Sequence, residues 1–304
     1  MLSLASSSGR RLLTKLSRRH VHSFGGVLSV TEQESFRRNG FLLVPNLIDE
    51  TTVESLKARY VDLFAGKFET GIYPDEWHWR EGISRPDAFR EIVNGWKADN
   101  VVRSVVTSQD IGKIASNLMG WKAGSRVGQD DILWKPPLAG EVAFHQDAAY
   151  ISTQFEPAQN NSVTVWIALD DADEETGVVE YCPGSHLWDE SGPSSAVSSA
   201  FHSPSEGYDK PLYDAANRAG QQNPEIVRVA VPAGGAIFHH QDVWHGSAKN
   251  VSKVRHRRAL GIHLVQKDVE WRSNPPPDYI YGRYVLPGSH TPEDSFFPVT
   301  YSPP

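Results

Sequence analysis

The chain has 304 residues, 39% apolar and 22% charged, with a formal net charge of −7. That length can bury a sizeable core, and the composition excludes a disordered chain, a collagen-like chain and a coiled coil. No apolar run reaches the about 18 residues of a membrane span, the single Cys182 excludes an internal disulfide and a cysteine zinc cluster, and the negative balance argues against a nucleic-acid partner.

The chain opens with Arg10, Arg11, Lys15, Arg18 and Arg19 among many serines, and its first acid is Glu32. Leu12, Leu13 and Leu16 fit one face of a short helix. An Arg-rich, Ser-rich, acid-free amphipathic start is the pattern of an organelle transit peptide. Residues 1–25 are therefore expected to direct the protein to mitochondria, with the peroxisome or another organelle as the alternative. Lys15-Leu16 followed by His22 approaches a peroxisomal signal, but Ser23 stands where that signal wants an apolar residue.

Thr31 to Glu34 reads as a capping box opening a helix that stops at Gly40, followed by a strand over 41–44. Asp49 can cap a second helix with Val53, Leu56, Tyr60, Leu63 and Phe64 on its apolar face. A third helix is expected over 108–118. From about residue 126 the pattern changes to short strands with Gly/Pro turns: 127–134, 141–145, 163–169, 178–181, 226–231, 236–239 and 257–265. Such strands, with no long helix between them, predict a sandwich, barrel or jelly roll. The stretch 187–225, rich in Ser, Pro, Gly and Asn, is expected to be a loop or lid. The Pro-rich tail 271–304 is expected to wrap the surface.

Phe144-His145-Gln146-Asp147 carries the chemistry. Residues i and i+2 of a strand share a face, so His145 and Asp147 can present an imidazole and a carboxylate to one metal ion. A histidine from a neighbouring strand would complete the two-histidine, one-carboxylate set of non-haem Fe(II) oxygenases. The pattern is weak alone, and His240-Gln241-Asp242 repeats it.

Its surroundings add specificity. Lys135-Pro136-Pro137, His145-Gln146-Asp147, Trp166-Ile167-Ala168-Leu169-Asp170, Pro183-Gly184-Ser185-His186, His245-Gly246-Ser247 and Arg257-Arg258-Ala259 follow one another in order. This set, over residues 30–270, resembles the phytanoyl-CoA dioxygenase family of Fe(II)/2-oxoglutarate oxygenases. The resemblance implies a mainly β protein with a helical buttress: a double-stranded β-helix, cupin-like, preceded by N-terminal helices. It implies His145, Asp147 and His245 as iron ligands, and Ser247 and Arg257 around the far carboxylate of 2-oxoglutarate. Trp166 would line the same pocket, and Gln129 and Asp131, on the strand before, would touch the cosubstrate. The implied partners are a small-molecule or acyl-type substrate and O2, the products succinate and CO2, and ascorbate a possible reductant. Departures are a His245-to-Arg257 interval one residue longer than the family's, Asp131 in place of an apolar residue in some members, and no pocket lysine near 92–94.

Strand parity separates the two arginines. Arg258 shares a face with the bulky Leu260, Ile262 and Leu264; Arg257 shares the other with Ala259, Gly261 and His263. The second face has room for a ligand. His239, His240 and His263 are expected beside the site or elsewhere on strands, His186 as a loop hydrogen-bonder, and Trp77, Trp79 and Trp96 in the core. Cys182 is expected packed, and the acidic run 170–175 is expected to be a solvated turn. Two competing readings are a cupin-type dioxygenase that uses no 2-oxoglutarate, and a non-catalytic metal-binding jelly roll.

Overall fold

The computed structural model describes residues 10–12, 28–189, 207–273 and 280–304. Within the stretch expected as a transit peptide, β1 (Arg10–Leu12) is a strand running parallel to residues 226–228, not part of a helix. The other residues of that stretch lie outside the described ones.

Helix α1 (Val30–Asn39) begins two residues earlier than Thr31 implied. Ser29 and Glu32 form the capping box, which satisfies the same Ser/Thr-x-x-Glu spacing. Gly40, at φ 81°, ends it, and β2 (Phe41–Val44) follows. Asp49 caps α2 (Glu50–Phe64) through the Thr52 N–H, and all five expected apolar positions are buried. A hairpin of β3 (Glu76–Trp77) and β4 (Arg90–Val93) leads to α3 (Asn100–Val106), then α4 (Gln109–Met119), capped by Ser108 and stopped at Gly120.

The β region follows the predicted order. It runs β5 (Ser125–Lys135), β6 (Val142–His145), β7 (Phe155–Glu156), β8 (Ser162–Ala168) and β9 (Val179–Tyr181). A helix, α5 (Lys210–Arg218), then precedes β10 (Ile226–Arg228), β11 (Ala236–His240), β12 (His245–Ser247), β13 (Arg257–Gln266), β14 (Glu270–Trp271) and β15 (Val299–Tyr301). The segment 187–225 thus holds a regular helix. Leu212, Ala215 and Ala216 on its inner face are buried, and residues 190–206 lie outside the described ones.

Two sheets face one another in a jelly roll. The larger has the order β2-β11-β8-β13-β5-β4-β3, with β15 also pairing β5; the smaller has the order β1-β10-β9-β12-β6. The larger sheet alternates strictly. Val163, Val165, Ile167, Leu260, Ile262 and Leu264 pack outward with Leu56, Tyr60 and Phe64 of α2. Tyr60 also donates to the Ala259 carbonyl at 2.6 Å. Each such fully buried aliphatic side chain contributes about 1.5–3 kcal/mol, so this packing anchors the helices to the sheet behind the site. The opposite parity faces the smaller sheet. The register of β13 against β5 is unbroken from Arg257 to His263, and the irregularity comes only after His263.

The tail does more than wrap the surface. Ile280, Tyr281 and Phe297 are buried with Phe155 and Trp271, and Tyr281 Oη donates to Gln129 Oε1 at 3.1 Å. Apolar side chains spaced irregularly between prolines hid this packing from a periodicity reading.

Candidate metal centre

His145 ends β6 and His245 starts β12; the two residues are direct cross-strand partners. Their rings lie 4.2 Å apart, centroid to centroid. Each Nδ1–H donates to a carbonyl two residues earlier, His145 to Ala143 at 2.8 Å and His245 to Val243 at 3.0 Å. In both rings Nε2 is therefore the unprotonated nitrogen. Asp147 Oδ1 lies 3.6 Å from His145 Nε2 and 3.5 Å from His245 Nε2. Among the described residues this is the group whose donor atoms converge, all within 4.8 Å. Two neutral imidazoles and one carboxylate suit a divalent transition metal such as Fe(II). Burial pushes His245 down to about 4, which keeps the imidazole in the neutral, ligating form.

The carboxylate is held from behind. Asp147 Oδ2 accepts from Thr164 Oγ1 and, at 3.0 Å, from His239 Nε2; Oδ1 accepts from Tyr150 Oη at 2.6 Å. Tyr181 donates in turn to His239 Nδ1 at 3.1 Å, fixing that tautomer. Because the Thr164 hydrogen goes to Asp147, its oxygen accepts from His263 Nδ1–H at 2.8 Å, while His263 Nε2 meets Asp131 Oδ2 at 2.7 Å. Burial, the largest single influence, would depress His263; its hydrogen bond to Asp131 and the charges of Asp131, Asp147 and Asp130 together outweigh this and raise it. Burial would likewise raise Asp147, but His245, His239 and His263 overcome it and hold the carboxyl well below its usual range.

A cavity of about 620 Å³ opens onto this group. Its wall includes Gln129, Asp131, Trp166, Ser247 and Arg257, as well as Tyr150, His239 and His263. All five expected cosubstrate residues thus border one space with the metal group. Gln129 Nε2 donates to Asp131 Oδ1 at 2.8 Å, so both also belong to the wall's internal hydrogen bonding. The Arg257 guanidinium stands 5.4 Å from the Trp166 ring centroid. Its Nη1 donates to the Gly177 carbonyl, and its Nε has no partner among the described residues. Burial pushes Arg257 down to about 10.

A profile of the family described as Phytanoyl-CoA dioxygenase (PhyH) matches residues 36–259. The chain belongs to the phytanoyl-CoA dioxygenase family. It is 32% identical over 200 residues to phytanoyl-CoA dioxygenase domain-containing protein 1 of Rattus norvegicus, covering 66% of this chain and 64% of the relative. The corresponding protein of Danio rerio is 30% identical over 45% of this chain and 43% of its own length. The chain thus spans about two fifths to two thirds of the length of these relatives. Phytanoyl-CoA dioxygenase, peroxisomal, of Bos taurus is 22% identical, covering 81% of this chain and 71% of the relative.

Solved structures share the fold. SnoN, described as a non-heme alpha ketoglutarate dependent epimerase from nogalamycin biosynthesis, superposes with a TM-score of 0.65 at 20% identity, covering 89% of this chain and 97% of its own. EctD from S. alaskensis, solved with 2-oxoglutarate and 5-hydroxyectoine, does so with 0.65 at 16% identity, covering 97% and 94%.

The second His-Gln-Asp triplet of this family member lies away from the cavity. His240 Nε2 meets Asn160 Oδ1 at 2.8 Å, and Gln241 Oε1 accepts from the N–H groups of Asn161 and Ser162. The triplet clamps the start of β8. His186 bonds the Arg37 carbonyl at 3.0 Å. Trp79 and Trp96 are in the core, with Trp77 packed against it. Cys182 is buried and its thiol is pushed up to about 12. The acidic run is a turn, but an ion-paired one: Asp170 binds Arg258, Asp173 and Glu175 bind Arg255, and Glu174 binds Arg228.

Thr164, Tyr150 and Lys135 were not singled out from the sequence as site residues. Thr164 carried a signal, since it shares the inward parity of Trp166 on one strand. Lys135 is fully buried; its Nζ donates to Ser247 Oγ at 2.8 Å and to the Ala248 carbonyl at 2.7 Å.

Proposed function

We propose that the protein is an Fe(II)- and 2-oxoglutarate-dependent dioxygenase that hydroxylates a small-molecule or acyl-type substrate, releasing succinate and CO2. The observation that carries this reading is the pairing, in one cavity, of a His-Asp-His donor set with a buried arginine whose Nε has no partner among the described residues. His145 Nε2, His245 Nε2 and Asp147 Oδ1 would hold the metal, with the remaining positions left open to the cavity. When bound, Fe(II) would supply O2 activation coupled to oxidative decarboxylation of 2-oxoglutarate.

The chain's own residues do the rest. Thr164, His239 and Tyr150 fix the carboxylate of Asp147 so that it need not reorganise. Arg257 and Ser247 receive the far carboxylate of 2-oxoglutarate; a guanidinium gives direction as well as charge. Trp166 closes the pocket wall beside that arginine and keeps water from it. Retention of Asp147 favours hydroxylation over halogenation, because a halide would need the position the carboxylate fills.

A cupin-type dioxygenase without 2-oxoglutarate would have no use for Arg257, and a non-catalytic jelly roll none for the open cavity. The test is succinate release by purified protein with Fe(II), 2-oxoglutarate and ascorbate, screened over a metabolite panel. Substrate-stimulated succinate is the expected result. Oxygen consumption without succinate would replace this reading by the cupin one.

A further inference from the structure

Lys135 ends β5 directly opposite Arg257 on β13. Both side chains are buried, Lys135 completely and Arg257 to 3% exposure. Among the described residues neither has a carboxylate in contact. Lys135 Nζ directs two of its three hydrogens to Ser247 Oγ and the Ala248 carbonyl, and Arg257 meets the Gly177 carbonyl. Two adjacent buried cations without an anion are unstable unless a ligand supplies the missing charge.

The hydrogen bonding says where that charge belongs. Ser247 Oγ accepts from the Lys135 ammonium, so its own hydrogen is released toward the cavity that Ser247 and Arg257 line. Resting on the reading of that cavity as a 2-oxoglutarate site, we propose that Lys135 is a positioning and specificity residue. It orients the Ser247 hydroxyl as a donor and adds a second positive charge behind the far carboxylate. The site would thereby select a 2-oxo acid with two carboxylates over one whose far end is neutral. Burial and then the neighbouring Arg257 press the Lys135 ammonium to lose its proton, with Glu141 and Glu180 opposing from beyond contact. A bound carboxylate would relieve that pressure.

A lysine buried for ligand and one buried for architecture respond oppositely to removal. Lys135→Met keeps the volume and deletes the charge. If the ammonium serves the ligand, the ligand-free variant melts no lower than the wild type while its ligand affinity falls. Lys135→Gln is the second variant, retaining a donor for Ser247 without the charge. Calorimetric titration of Zn(II)-loaded protein with N-oxalylglycine, an unreactive 2-oxoglutarate analogue, and with oxamate, which lacks the far carboxylate, gives the readout. The preference of wild type for N-oxalylglycine over oxamate should fall about tenfold in Lys135→Met, and part of the loss should persist in Lys135→Gln. An unchanged preference with a lowered melting temperature would make Lys135 an architectural post and overturn the inference alone. Wild type that binds neither compound would overturn the 2-oxoglutarate reading and the inference with it.

Discussion

Arg257 and Arg258 are neighbours in sequence and leave one strand in opposite directions. Arg258 turns outward, and its Nε and Nη2 each meet Asp170 at 2.8 Å. Arg257 turns inward onto the Trp166 ring, with its Nε unpartnered among the described residues. Arg257→Ala should therefore raise the 2-oxoglutarate requirement by orders of magnitude, since loss of one partner of a buried pair costs about 3–5 kcal/mol. Arg258→Ala, which removes a partly exposed pair, should change it little. Titration of succinate release against 2-oxoglutarate decides it, and a larger defect in Arg258→Ala would reverse the assignment.

Substitution of His145, Asp147 or His245 by Ala should abolish turnover, because three donors are the least this type of site uses. The metal-free variants should stay folded. Asp242→Ala serves as the control, since the second triplet clamps β8 instead of facing the cavity. Succinate production retained in Asp147→Ala and lost in Asp242→Ala would move the metal site to the second triplet.

Thr164→Val keeps shape and removes the hydroxyl between Asp147 and His263. Loss of a hydrogen bond that orients a ligand lowers metal affinity about 10–100-fold. Competition with a metal-binding dye should show that loss with the fold intact by circular dichroism. An affinity equal to wild type would leave His239 and Tyr150 as the supports that matter.

Asp130 points away from the site, fully buried, and accepts the Trp96 N–H at 3.0 Å. Burial raises its carboxyl from 3.8 to about 8. The folded chain thus keeps a proton that the unfolded chain releases near its ordinary value. Stability from this group is greatest in acid and declines as pH rises through that interval. Asp130→Asn should flatten the fall in melting temperature between pH 5 and pH 8. Parallel slopes for the two proteins would refute the assignment.

A fusion of residues 1–30 to a fluorescent reporter should enter mitochondria. Diffuse cytosolic signal would dispose of the targeting proposal, and peroxisomal puncta would favour the alternative.

Much of the jelly roll was legible because its long strands alternate. Residues 162–168 and 257–266 show the period of two that puts Val165 and Leu260 against the helices and Trp166 and Arg257 in the cavity. The three-residue strand His245–Ser247 is too short to show any period, and only its resemblance to a known motif marked it. Helix α3 was missed because Val101, Val102, Val105 and Val106 are β-branched and read equally well as strand. Lys135 opens a recognised motif, but its burial could not have been read from the pattern. A lysine at a strand end is ordinarily solvated, and only the register with Arg257 makes it a buried charge.

The aromatic plug of Tyr281 and Phe297 bears on how the gene tolerates truncation. A premature stop before Ile280 would spare every proposed ligand and every cosubstrate contact. It would still remove the hydroxyl that steadies Gln129 and open one edge of β5 where Val299–Tyr301 pairs. Shortened transcripts should therefore encode inactive protein.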